Sequence, residues 1–460
     1  MERKAAHLVI ERQAEGYGAV DMRRGACPTL AAPMQTGDGL LVRLCPLRPG
    51  FALSEVVALA KAARRFGNGI LEVTARGNLQ IRGLSREMVP SLAVAIADAE
   101  IRITEGVAIE TPPLAGLDPT ELADPLMLAA ELRAAITSHQ PALVLAPKLS
   151  IIIDGGGRLH LGETSADIRL RAVRGNAGLS WLLSLAGTER AAKRVAMLLP
   201  DAVIPAVLRV LSKLAHLGSH ARGRDLDAEL MARSIGSALA FDDVAPPDAA
   251  PLAVGVHDCG DGGLVLGLGL AFGQTDAESL IALVEELERL GAREIRLAPG
   301  HALLVPGLKG EDIARAQARA LALGFRISPD DPGNHIAVCA GIGACRSALL
   351  DTKGVARLFI EEAPELLDGT LSVHLSGCAK GCAKPSPATL TMLGAPLGYG
   401  LVVNGPASAV PNAYIDQKTI KTAIGHLGAL VRQNKQAGES ARSCLTRLGP
   451  DATIAALQQG

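Results

Sequence analysis

Short apolar runs bounded by glycine alternate along this chain with stretches whose apolar residues recur every three or four positions, and the alternation occurs twice. Residues 37–84 read GDGLLVRLCPLRPG, then SEVVALAKAARRFGNG, then ILEVTARGNLQIRGL. Residues 260–308 read GDGGLVLGLGLAFG, and further on AESLIALVEELERLGAR and EIRLAPGHALLVPGL. The outer segments have strand character and the middle ones helical spacing. Each copy therefore predicts strand, helix, strand, with another helix over 86–97 and over 311–323. A further segment follows each copy: PKLSIIIDGGGRLHLG at 147–162 and GTLSVHLSGCAKGCAKPSPATLTMLG at 369–394. Chance likeness between βαβ units would explain a loose match. The shared GDG and the near-constant spacing favour duplication instead. The two halves would join near the Pro/Ala-rich stretch 244–251, with domains expected at 1–98, 99–245, 246–328 and 329–460.

The copies differ in one respect that bears on chemistry. Arg43 is set against Leu266, Arg48 against Ala271, Arg76 against Gly300 and Arg82 against Pro306, so only the first copy carries guanidinium groups at these places. On a continuous strand Thr74, Arg76, Asn78, Gln80 and Arg82 would share one face. Guanidinium forks bind carboxylates bidentately, so this strip suggests a ligand with several carboxylates. The plainer alternative is the solvated outer face of an edge strand.

Composition narrows the classes of function. Of 460 residues, 48% are hydrophobic but only 2% aromatic, so the core is aliphatic and there are few platforms on which bases could stack. A formal net charge of −1 provides no global field for nucleic acid or an anionic membrane. Residues 1–13 are charged and lack the apolar core of a secretory signal, and charges interrupt the apolar stretches too often for a membrane span. A cytosolic protein is expected. Eight cysteines in such a chain point to metal binding, catalysis or plain burial rather than a disulfide framework.

Spacing separates those options. Cys339 and Cys345 lie in CAGIGAC, Cys378 and Cys382 in SGCAKGCAKP, giving C-x5-C, a gap of 32 residues, and C-x3-C. Four thiolates suit a [4Fe–4S] cubane. The flanking Gly341, Gly343, Gly377 and Gly381 would let the backbone approach a bulky cofactor. A helix-like stretch at 346–362 would place the first pair near a helix N-terminus, whose partial positive charge favours thiolates. Tetrahedral zinc normally uses C-x2–4-C pairs and fits less well. Buried inert thiols are the remaining reading, and Cys27, Cys45, Cys259 and Cys444, which lack such company, are taken as ordinary residues.

This cysteine pattern, together with the T-x-R-x-N-x-Q-x-R-G strip, resembles the sirohaem-dependent sulfite and nitrite reductases over nearly the whole chain. The resemblance implies an α+β fold with pseudo-two-fold duplication: two ferredoxin-like half-domains and two larger α/β modules. It also implies that Cys382 would bridge to a sirohaem iron, and that Arg76, with Arg82 beside it, would hold tetrapyrrole carboxylates. Within the superfamily, CPTLAAPMQTGDGLLVRL, PPLAGLDP, DGGGRLHLG and ADIRL look most like the precorrin-3B synthase family of aerobic cobalamin biosynthesis. That likeness implies hydroxylation of precorrin-3A at C20 with dioxygen and closure of a γ-lactone. The chain also departs from the reductases. It has Val107 and Ala108 where they carry an Arg-Asn pair, and Lys148 and Ser150 where they carry Lys-x-Lys. The lost cations serve sirohaem and the small anion in the reductases, so their loss argues against sulfite or nitrite reduction.

A cubane with every iron bound by thiolate transfers electrons but offers dioxygen no open position. A second iron, mononuclear non-haem or sirohaem, is therefore expected. His216 with His220, His257, His160 and His374 are the candidates for its ligands, and each reads more readily as a structural or surface histidine, so the sequence assigns that iron to none of them. Arg43, Arg76, Asn78, Gln80, Arg82 and Lys148 would clamp the substrate. No G-x-G-x-x-G opens a helix after a strand, so electrons would come from NADH without that motif or from a separate reductase. Duplication makes a monomer sufficient. Two rival functions remain open at this point: a sirohaem reductase, and a non-catalytic iron–sulfur carrier or tetrapyrrole-binding protein.

Overall fold

The computed structural model describes residues 28–175, 178–236 and 244–459. Cys27 and residues 1–13 lie outside these. Four five-stranded sheets carry the fold. The first contains, in spatial order, Met34–Thr36, Gly39–Leu44, Leu79–Leu84, Ile70–Val73 and Gln274–Asp276. The third contains Gly255–Asp258, Leu264–Gly269, Ala302–Leu308, Glu294–Ala298 and Gly50–Ala52. Each half thus lends a short edge strand to the other: Gln274–Asp276 pairs with Ile70–Val73, and Gly50–Ala52 with Glu294–Ala298. This reciprocal exchange covers one edge of each sheet.

The ladders confirm that the chain repeats. Leu40 lies opposite Leu84 in the first sheet and Leu264 opposite Leu308 in the third, and each ladder then steps across one irregularity. In that register Arg43, paired with Gln80, corresponds to Gly267, paired with Leu304, and not to Leu266. The arginine is still unmatched in the second copy. Helices Leu53–Phe66, Met88–Asp98, Ala277–Arg289 and Gly310–Ala322 cover these sheets. In Leu53–Phe66 the buried residues Val56, Leu59, Ala60 and Ala63 form the inward stripe, and Glu55 accepts the Ala52 N–H at its start (2.7 Å). One apolar cluster contains Val42, Ile81, Leu59, Leu268, Val305 and Leu283, so both half-domains share a single core.

The other two sheets have the same plan as one another. Ala108–Glu110, Ser150–Asp154 and Ala166–Gly175 run parallel, followed by antiparallel Gly178–Gly187 and Lys193–Leu198. Ile336–Val338, Val373–Ser376 and Ala388–Ala395 run parallel, followed by antiparallel Gly398–Gly405 and Ala413–Ile415. Each of these modules has its own apolar cluster, around Ile151 and Leu170 in one and around Leu375 and Leu427 in the other. No helix among the described residues is long and apolar enough to cross a membrane.

Two expectations need correction. Residues 70–84 are not one strand but a hairpin, Ile70–Val73 and Leu79–Leu84, closed by Thr74 N–H to the Asn78 carbonyl (2.9 Å). Gly77 at φ +76° permits that turn. The helix expected from 346 begins only at Thr352. The Asp351 side chain caps it through Gly354 N–H (3.0 Å), while Leu349 N–H is drawn to the Gly377 carbonyl (2.7 Å).

Candidate functional site

The two cysteine loops lie against each other. Cys339 follows Ile336–Val338, and Cys378 follows the adjacent parallel strand Val373–Ser376, so the sheet itself juxtaposes them. Gly377 donates its N–H to Cys339 Sγ (3.0 Å), and Cys339 N–H reaches the Leu375 carbonyl (3.1 Å). A Cβ on Gly377 would stand 2.6 Å from that of Ala348, so only glycine allows this approach. Burial pushes the Cys339 thiol up. The N–H groups of Gly377 and Gly341 oppose that shift, and nearby Cys382 and Cys345 add to it. Cys339, Cys345 and Cys378 are half-buried, Cys382 is exposed, and none of the described cysteines is in a disulfide. The helix N-terminus at Thr352 abuts the Cys339 turn rather than Cys345: Thr352 Oγ1 donates to the Cys339 carbonyl (2.8 Å).

Among the described residues no three His, Cys, Asp or Glu side chains converge on one ion. A zinc site would need that convergence, whereas cubane thiolates bind separate irons. His374, one strand residue before Leu375, is fully buried with both ring nitrogens unpartnered. Burial, with Lys384 nearby, pushes its imidazole down to about 4. It lies under the loop, its Cε1 3.6 Å from where a Gly381 Cβ would be. A thiol-rich donor set, an N–H aimed at sulfur and an orphaned polar ring fit a bulky anionic sulfur-bearing group.

The first sheet turns one polar face toward this module. Leu79 and Ile81 enter the apolar core, so Gln80 and Arg82 face the other way, as strand alternation predicts. Arg43 lies across the ladder, and the Gln80 side-chain oxygen accepts from its guanidinium (2.8 and 3.2 Å). Alternation fails at the hairpin. Asn78 accepts from Cys45 Sγ (2.7 Å), and Arg76 sits in the turn with its fork on Glu110 (2.6 and 3.1 Å) and the Ser165 carbonyl (2.8 Å). Arg82 is buried against Asp38, Glu72 and the Ala344 carbonyl. Arg48, exposed, pairs with Glu55.

The two departures from the reductase pattern prove to be neighbours: Ala108, next to Val107, pairs with Ser150 in the parallel ladder, and Glu110, which takes Arg76, lies on the same strand. Half-buried Lys148 is two residues before Ser150. The motifs PPLAGLDP and DGGGRLHLG meet through Asp118, which accepts from Arg158 N–H (2.6 Å) and Nε (3.2 Å). In ADIRL, buried Arg169 holds the Leu161 and Thr164 carbonyls (3.0 and 2.6 Å). Periodicity contains no sign of Asp38 or Glu72 as partners, although the repeated GDG marked the position of Asp38.

The histidines separate clearly. His216 bonds the Ser212 carbonyl (2.7 Å) at the end of helix Val203–Leu217, and His220 lies beyond that helix. His257 bonds the Ala253 carbonyl (3.0 Å) and His160 the Asp248 carbonyl (2.7 Å), so both secure backbone. Cys259 and Cys444 are buried, and burial pushes both thiols up.

Residues 32–99 match the nitrite/sulfite reductase ferredoxin-like half domain family. The chain is 56% identical, over 95% of both sequences, to a precorrin-3B synthase of Sinorhizobium sp. It is 25% identical to the ferredoxin–nitrite reductase of Synechococcus elongatus, over 74% of this chain and 73% of that one. Among solved structures, the Mycobacterium tuberculosis NirA protein superposes with a TM-score of 0.69 at 18% identity, covering 90% of this chain and 84% of the other. That last likeness is one of fold.

Proposed function

The chain belongs to the precorrin-3B synthase family, within the nitrite/sulfite reductase superfamily, and from that premise we propose that it hydroxylates precorrin-3A at C20. One atom of dioxygen enters the ring and the other leaves as water, with two electrons and two protons drawn from the donor. The ring A acetate then closes a γ-lactone at C1, giving precorrin-3B. The observation that carries this reading against anion reduction is the pairing of Ala108 with Ser150. One small patch, Val107–Ala108 with Ser150, lacks the Arg and one Lys that the reductases carry, Lys148 alone remaining, and Glu110 beside it occupies Arg76.

Cys339, Cys345, Cys378 and Cys382 are the proposed cluster ligands. When bound, a [4Fe–4S] cluster supplies single-electron transfer at the edge of the tetrapyrrole site. Dioxygen also needs an iron with open positions, which a mononuclear non-haem centre or sirohaem provides. Arg43, steered by Gln80, together with Arg76, Asn78 and Lys148, would fix the substrate carboxylates and so orient C20. Arg76 would exchange Glu110 for a substrate carboxylate, trading one bidentate partner for another. The electron donor is a nicotinamide or a reductase protein, and the enzyme works as a cytoplasmic monomer. The chain is read as four units divided at 98/99, 245/246 and 328/329, of which the two half-domains exchange edge strands and share one core.

The test is anaerobic purification with iron, sulfide and sirohaem quantitation, then oxygen uptake with precorrin-3A and a reductant. Precorrin-dependent oxygen uptake by cluster-bearing protein is expected. Stoichiometric sirohaem with nitrite or sulfite turnover would sink the hydroxylase reading. Tetrapyrrole binding without oxygen uptake would leave the non-catalytic one.

A further inference from the structure

We infer that Arg82 is a positioning residue for the Cys345 loop and does not bind substrate carboxylates. The inference rests on the proposed cluster ligation. The Arg82 side chain is only 4% exposed. Its Nε and one terminal nitrogen form a fork on Asp38 (both 3.0 Å), and its other terminal nitrogen reaches Glu72 (3.2 Å). The nitrogen shared with Asp38 also donates to the Ala344 carbonyl (2.8 Å). Four of the five guanidinium N–H donors are thereby engaged, and no bidentate edge remains for a ligand.

What Arg82 holds is the peptide that enters Cys345. The Ala344 carbonyl also accepts from Gly37 N–H (3.3 Å), and a Cβ on Gly37 would stand 2.8 Å from the Cys345 nitrogen. The GDG turn is therefore pressed onto the cysteine backbone. Thr36 Oγ1 fixes the Asp38 carboxylate (2.7 Å). Burial pushes that carboxyl up, but the Arg82 and Thr36 hydrogen bonds outweigh it, so Asp38 stays ionised.

The network continues past the loop. Glu72 accepts from Gln274 (3.1 Å), and the Gln274 side-chain oxygen accepts from Lys353, in the first turn of helix Thr352–Glu362. Ala344 and Lys353 flank the segment that contains Cys345, so the segment is held at both ends. Gln274 belongs to the edge strand lent by the second half-domain, so three parts of the molecule meet here. Two cations and two carboxylates balance within the interface. Such a network adds little to stability compared with apolar packing, but removing one member strands the others. Its value lies in fixing position. In the second copy Pro306 stands where Arg82 does.

The test compares the full-length wild type with Arg82→Met, Arg82→Lys and Asp38→Asn, all purified anaerobically. Read-outs are iron loss to a chelator, the EPR spectrum and midpoint potential of the reduced cluster, precorrin-3A affinity, and amide exchange at 340–350 in cluster-free protein. For Arg82→Met, iron loss roughly tenfold faster, an altered EPR spectrum and faster exchange are expected, with precorrin-3A affinity within about twofold of wild type. Arg82→Lys should restore part of each. Asp38→Asn, which weakens the fork but keeps the arginine, should shift the same read-outs less and serves if Arg82→Met does not fold. An unchanged spectrum and exchange, with precorrin-3A affinity down about tenfold or more, would overturn the inference. A wild type that takes up no cluster fails the cluster assignment, while the exchange arm still reports whether Arg82 fixes the loop.

Discussion

The two modules share one sheet plan, yet the loop after the second strand is finished in opposite ways. In the first module the loop after Ser150–Asp154 closes on itself. Asp154 accepts from Gly156 and Leu161 N–H (both 3.0 Å), Arg169 takes the Leu161 and Thr164 carbonyls, and Asp118 anchors Arg158. In the second module the loop after Val373–Ser376 presents Cys378 and Cys382 above a histidine with no partner. Backbone groups that leave a strand end must find partners. One copy supplies them from its own ionic side chains. The other ties its loop to the preceding cysteine loop of the same module, through Leu349 N–H on the Gly377 carbonyl (2.7 Å) and Gly377 N–H on Cys339 Sγ (3.0 Å). Duplication kept the scaffold, and the polar residues of the loops set the two copies apart.

Replacing a thiol should break the comparison most sharply. Cys378→Ala should reduce cluster iron and visible charge-transfer absorption to near zero, whereas Cys444→Ala should retain both. Retention of absorption by Cys378→Ala would place the cluster elsewhere. Next in size is the first module's own closure. Arg169→Met takes from buried Glu189 one of its two arginine partners, Arg171 remaining, removes the donor to two carbonyls, and should cost about 1–3 kcal/mol, read from a urea denaturation midpoint. The folded fraction should keep its cluster absorption, and loss of absorption ahead of unfolding would show that the modules are not separable in this way.

Arg76 tests the exposed side of the arginine asymmetry. Arg76→Ala should weaken precorrin-3A binding roughly tenfold, about 1.4 kcal/mol, and Glu110→Ala should strengthen it by freeing the fork, as measured by absorption titration. No change in either would leave Arg76 a hairpin brace.

The smallest expected effect concerns Glu121, beside the Asp118 anchor. Burial pushes its carboxyl up to about 7, Gly116 N–H opposes this, and Asp118, Asp124 and Asp154 add repulsion. One of its oxygens has no partner. A raised folded-state value means that the native protein binds more protons than the unfolded chain between its ordinary value and about 7, so stability falls as pH rises through that window. Glu121→Gln should flatten that slope, by on the order of 1 kcal/mol between pH 5 and 8, in denaturation midpoints. An unchanged slope would place the titration on another group.

Much of this molecule follows from sequence alone, because the relevant signals are local. Helical and strand spacing marked Leu53–Phe66, Ala277–Arg289 and the ladders around Leu40 and Leu264, since burying one face requires that period whatever the partner. The GDG repeats exposed the duplication, and cysteine spacing singled out two loops that adjacent parallel strands bring together. Local patterning misled where it continued through a turn. Asn78 and Arg76 fit the alternation of Leu79–Leu84 but lie in the hairpin that Gly77 makes possible. Only the tertiary structure decided what the arginines serve. Arg82 meets Asp38 across 44 positions and Ala344 across 262, and Ala108 meets Ser150 through a crossover connection. Periodicity states which way a side chain faces. The partner of a buried charge depends on which distant segments the fold brings to that face.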